Sequence, residues 1–210
     1  MKIVRITCCL FVLLLSLVAF AFTTSAPKAH AASGTSFVAR FHGLSAQADF
    51  DSLSPDGCID TFVFVDGFQN TVNKQTFSGA DVFIGKFNNC TNTPLLNASG
   101  STGSSTFQID KTLLTASLSA TISVSDSVSG NTFNVSVSVA WTSTSAIAHE
   151  DQTFHFHTKA FTENAHLNAD FRDANASGTV SDGTTNFTPS PSVFAQTMSA
   201  KEVDVFIAHP

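Results

Sequence analysis

TLLTASLSATISVSD, Thr112 to Asp126, alternates without a break: Leu114, Ala116, Leu118, Ala120, Ile122 and Val124 are apolar, and the residues between them carry hydroxyls. Successive side chains of a strand point to opposite faces, so a period of two predicts a strand with one dry and one wet side. The pattern resumes in NTFNVSVSVAWTS, Asn131 to Ser143, with Phe133, Val135, Val137, Val139 and Trp141 on one side. Setting Asp126 opposite Asn131 puts both apolar rows on the same face and lays Trp141 over Ala116.

A second hairpin is expected from the cysteines. Pairing CIDTFVFVD with DVFIGKFNNC around Lys74 sets Phe64 opposite Ile84, Phe62 opposite Lys86 and Cys58 directly opposite Cys90. A bridge there closes a loop of about 33 residues and stabilises the fold by roughly 3–4 kcal/mol in the chain-entropy model. In SFVARF followed by LSAQADF the apolar side switches from odd to even positions at Gly43, which predicts a β-bulge. FQI (Phe107 to Ile109) reads as a short edge strand, and Asp182-Gly183 as a hairpin turn. A last segment follows Pro189 and Pro191. These elements amount to nine to eleven short strands with no amphipathic helix. The expected fold is all-β: a single antiparallel β-sandwich first, a closed up-and-down β-barrel second.

The chain opens with Lys2 and Arg5, an apolar run from Ile6 to Phe22 and a polar stretch ending Ala29-His30-Ala31. That is the layout of a secretory signal peptide over residues 1–31, leaving 32–210 as one secreted β domain. Cys8 and Cys9 depart with the leader, and the remaining pair, Cys58 and Cys90, suits an oxidising compartment. Losing Lys2, Arg5 and Lys28 leaves seven basic residues against sixteen acidic ones. Such an acidic excess argues against nucleic acid as a partner, and no apolar run after the leader calls for membrane insertion.

TFHFHTKAF, Thr153 to Phe161, raises a metal question. His155 and His157 fall on the polar side of a strand. If the chain turns at Thr162 to Asn164, His166 comes up beside Lys159, diagonal to His157 and on the same face. H-x-H on one strand with a third histidine on its antiparallel neighbour is similar to the zinc-ligand layout of the alpha-type carbonic anhydrases, over those three side chains alone. The resemblance implies zinc on His155, His157 and His166 and hydrolase or lyase chemistry by activated water. The competing reading is a solvated strand face with no cofactor. The cupin pattern does not fit, because the first glutamate after the motif is Glu163 and no glycine closely precedes it.

The acidic loop FDSLSPDGCID offers oxygen ligands, but Pro55 interrupts their spacing, and it reads as an ordinary turn into Cys58. There is no G-x-S-x-G elbow for nucleophilic catalysis. Sugar stacking is disfavoured, because tyrosine is missing from the sequence and its single tryptophan lies in an apolar row. Three functional expectations follow: a secreted non-catalytic module contacting an extracellular protein or polymer, a zinc-dependent hydrolase or lyase, or a structural matrix or coat protein.

The exported protein should begin at or near Ala32 and carry no free thiol. Intact mass and thiol titration of secreted material check both, and a retained leader or two reactive cysteines contradicts this reading.

Overall fold

The computed structural model describes residues 36–187 and 191–208; the expected signal peptide lies outside them. The described residues form ten strands and no helix: β1 Ser36–Leu53, β2 Ile59–Val72, β3 Gln75–Asn88, β4 Thr93–Thr102, β5 Ser105–Ile109, β6 Thr115–Asp126, β7 Thr132–Ser143, β8 Ala148–His157, β9 Phe161–Ser181 and β10 Phe194–Ala208. All pairings are antiparallel and belong to one sheet, ordered β10-β1-β2-β3-β4-β6-β7-β9-β8. A further pairing returns from β9 to β10, so hydrogen bonding runs around a ring, with β5 attached to β6 and β8 to β9. The described residues are therefore all-β and antiparallel, with a strand number inside the expected range. The ring has barrel-like connectivity, yet opposite walls also pack across one main core as in a sandwich.

The alternating pair forms as its pattern dictates. Thr115 to Ser125 of β6 runs against Thr132 to Thr142 of β7, with Trp141 opposite Ala116. Asp126 holds the turn: its carboxylate accepts from the backbone N–H groups of Val128 and Ser129, from the Ser129 hydroxyl and from the Asn97 N–H of β4. Trp141 is 1% exposed and donates its indole N–H to the Gln47 carbonyl of β1 at 2.8 Å. Neither β7 nor β1 is the other's neighbour in the sheet, so this bond spans the core. Around it pack Phe50, Val63, Val65, Ile84, Ile122 and Val135, all without solvent contact. Gly67 makes room there, because a Cβ would strike the ring of Phe107.

The β2–β3 hairpin departs from expectation by one residue. Asn73 and Lys74 both have positive φ, 48° and 75°, and form a two-residue turn instead of a loop centred on Lys74. Val63 therefore pairs with Ile84, and Phe64 with Phe83. Because a one-residue slip reverses every side chain, Phe62 and Phe64 leave the core for the opposite face. The Cys58–Cys90 disulfide is present, with a Cα–Cα distance of 5.1 Å. It is diagonal rather than directly opposite, since the Asn89 N–H bonds the Cys58 carbonyl.

No bulge occurs at Gly43. β1 keeps one register with β10 from Ser36 to Asp49 and with β2 from Phe41 to Leu53. What changes is the buried face. Ala46, Ala48 and Phe50 enter the main core, whereas Phe41, on the other face, joins Leu167, Ala169 and Ala200 in a second cluster. β9 switches likewise, burying Leu167 and Ala169 on one face and Ala174, Ala176 and Val180 on the other. Gly43 sits at the crossing because the Phe41 ring lies where its Cβ would be.

Trp141→Ala should lose about 3–5 kcal/mol, the usual cost of emptying a large aromatic site. Urea denaturation measures the loss; a change under about 1 kcal/mol would contradict a role in joining the two walls.

Candidate functional site

The histidine stretch forms β8 and its hairpin with β9. The turn falls at Thr158–Ala160, not at Thr162–Asn164. Thr158 fixes it, its hydroxyl accepting from the N–H groups of Ala160 and Phe161 while its own N–H bonds the Phe161 carbonyl. This side-chain turn is a local alternative that hydrophobic patterning does not reveal. His166 consequently lies opposite Thr153, and Lys159 is in the turn.

His155, His157 and His166 do share one exposed face, as expected, but they are dealt out along a ladder. His155 Nδ1 meets Asn164 Oδ1 at 2.6 Å, His157 Nδ1 meets Thr162 Oγ1 at 2.8 Å, and His166 Nε2 meets Asp151 Oδ1 at 3.1 Å. His149 extends the row, its Nδ1 lying 2.8 Å from Asp170 Oδ1. Each ring is engaged by a different cross-strand neighbour. Among the described residues no group of three or more His, Cys, Asp or Glu side chains is placed to hold a metal ion. The acidic loop closes on itself, with Asp56 accepting from the Ser54 hydroxyl and the Cys58 N–H.

The face turned away from the main core carries a different chemistry. Phenylalanines reach it from six strands: Phe41 of β1, Phe64 and Phe68 of β2, Phe83 of β3, Phe154 and Phe156 of β8, Phe161 and Phe171 of β9, Phe206 of β10. Phe161 links Phe156 and Phe206, at ring-centroid distances of 5.8 and 6.5 Å. Most of these rings keep partial solvent contact, and Phe156 is 54% exposed. Sequence reasoning missed this face because the expected β2–β3 register set Phe64 opposite Ile84, on the side that Ile84 buries, whereas Phe64 pairs with Phe83. The available signal was that Phe62 to Val65 is apolar or aromatic on both parities, with Phe68 continuing the even row past Asp66.

Carboxylates are interleaved with the rings. Asp66 pairs with Asp81 across β2 and β3 and with Gln47 across β1 and β2; Asp49, Asp51, Glu163, Glu202 and Asp204 stand on the same face. Burial, then the charge of Asp51, raises Asp49 from 3.8 to about 6. Burial, then Asp204 and Glu163, raises Glu202 from 4.5 to about 7. Asp66 is pushed well up, by burial first and Asp81 second, and Asp51, Asp81 and Asp204 are raised as well. Acids in turns go the other way. The Thr112 hydroxyl leads in holding Asp110 down at about 2, and the Ser129 hydroxyl does so for Asp126.

No protein-family model matches the chain, and neither curated proteins nor solved structures give a match.

Asp49 and Glu202 hold their protons more tightly folded than unfolded, so their effect on stability has a definite sign. The stabilisation is complete below the unfolded carboxylate range and is lost as pH rises through about 6 and about 7. The melting temperature should therefore rise from about pH 7.5 to about pH 5. Glu202→Gln should raise it at neutral pH by about 1 kcal/mol equivalent, discounted for residual solvent contact, and should flatten the profile. A melting temperature that falls steadily over that interval, unchanged by the substitution, contradicts the assignment.

Proposed function

We propose that the chain is an exported, non-catalytic β module that acts at the cell exterior through surface contact with a protein or polymer. The observation that carries this reading is the aromatic and acidic face. Large exposed apolar patches on a folded domain mark contact sites, and here phenylalanines converge on the outside of a sheet whose inside is already filled. The disulfide is compatible with the same reading, because such bonds persist in oxidising compartments. On the opposite wall two open depressions are lined by Thr106, Ser117, Ser119 and Ser138, a neutral hydroxyl surface without a paired acid and base.

Labelled mature protein should bind saturably to the surface of the cells that export it, and Phe154→Ser with Phe156→Ser should weaken that binding severalfold without unfolding the sheet. Equal binding by the variant overturns this reading. Zinc-dependent turnover that disappears in His155→Ala with His157→Ala would place the chain among metalloenzymes instead.

A further inference from the structure

The carboxylates on the aromatic face fall into two groups, one on each side of a buried apolar patch. Asp66 and Asp81 are cross-strand partners on β2 and β3, and Phe64 and Phe68 stand two residues to either side of Asp66. Glu202 and Asp204 of β10 form the second group with Glu163 of β9. Phe41, Val72, Leu167 and Ala200 lie between them. Asp66 Oδ1 and Asp204 Oδ1, one oxygen in each group, are closed to solvent and lack a hydrogen-bond partner, while each carboxyl is otherwise held by one neighbour, the Gln47 side chain for Asp66 and Glu202 for Asp204. The Asp66 carboxyl is enclosed by protein, although the residue as a whole keeps an exposed edge. A buried acceptor without a donor is costly, and more so when charged.

The spacing of the groups narrows the choice of donor. Asp204 stands opposite Ala39 of β1, and Asp66 opposite Gln47. At the rise of a strand, those positions are roughly 26 Å apart. One small cation cannot serve both groups. A chain can.

We propose that this face binds an extended basic segment of an extracellular polypeptide, whose lysine or arginine side chains meet the Asp66–Asp81 and Glu202–Asp204 groups while its apolar side chains lie on the part-exposed rings of Phe64, Phe68 and Phe206. The proposal rests on the contact reading of function and names its partner. Ammonium or guanidinium groups offset the crowding of like charge in each group and add charge-assisted bonds to its carboxylates. Phe64 and Phe68 flank the first group, where a ring face attracts a cation. Sixteen acidic residues against ten basic ones give the protein a field that draws a basic partner in.

The probe is a synthetic peptide alternating lysine with valine, compared with a glutamate–valine peptide of equal length, titrated calorimetrically against the disulfide-intact protein at neutral pH. Saturable binding of the lysine peptide alone is expected, weakened about tenfold by Asp66→Asn with Asp204→Asn. Asp151→Asn with Asp170→Asn makes the same substitution at two aspartates of the opposite face and should leave affinity within about twofold. Equal weakening by both pairs, or equal binding of the two peptides, overturns the assignment. If neither peptide binds, the proposal fails while the contact reading stands, since the Phe154 and Phe156 variant tests that separately. Melting curves confirm folding; should Asp66→Asn not fold, Asp204→Asn against Asp170→Asn carries the same comparison.

Discussion

β1, β9 and β10 run without a register break while the face they bury changes side partway along, and the rest of the structure depends on this. A strand cannot turn its side chains over without inserting a residue. The sequence must therefore move its apolar positions from one parity to the other, as β1 does between Phe41 and Ala46. Between Ser45 and Ala48 both parities are buried, which is why Gln47 is 3% exposed and offers its carbonyl to Trp141 from inside the sheet. That one indole bond ties the hydroxyl-faced wall of β6 and β7 to the strand that serves both cores. Edge strand β8 then lies beside the half of β9 that belongs to the second cluster, so Phe154 and Phe156 extend the aromatic face.

The same arrangement sorts the acids. A carboxylate in a turn is surrounded by N–H and hydroxyl donors that favour its charged form, as Asp110 and Asp126 are. A carboxylate set among phenylalanines loses water and gains little in return, and its neighbours in the row are other carboxylates. The fold thus concentrates unfavourable electrostatics on one surface. Groups held at a cost to stability commonly mark places selected for something other than stability, and here that surface also carries most of the exposed aromatic area.

The histidine row shows how one polar pattern can lead to two chemistries. Both a metal site and a solvated ladder require histidines on the same strand face. What separates them is whether the rings converge, and convergence depends on where the hairpin turns. Thr158 places the turn so that Asp151, Asn164 and Thr162 each engage one ring across the strand pair. The ring nitrogens are spread along β8 and β9.

Local physics was enough to determine the all-β class, the β6–β7 register with Trp141 over Ala116, the pairing of Cys58 with Cys90 and the faces of Phe154, His155 and His157. Each follows from a period of two, from cysteine parity after a leader, or from a loop flanked by unambiguous apolar rows. Tertiary structure decided the rest. Asn73 and Lys74 entered left-handed backbone and moved the β2–β3 register by one; Thr158 set the β8–β9 turn; the parity switch at Gly43 meant a second buried layer and not a bulge. A strand apolar on both parities does not say which side is core. That depends on what packs against each face, and the strands that do so are distant in sequence. The aromatic and acidic face was hidden for this reason, because Phe64 and Asp66 at one end and Glu202 and Glu163 at the other come onto one surface only when the ring of strands closes.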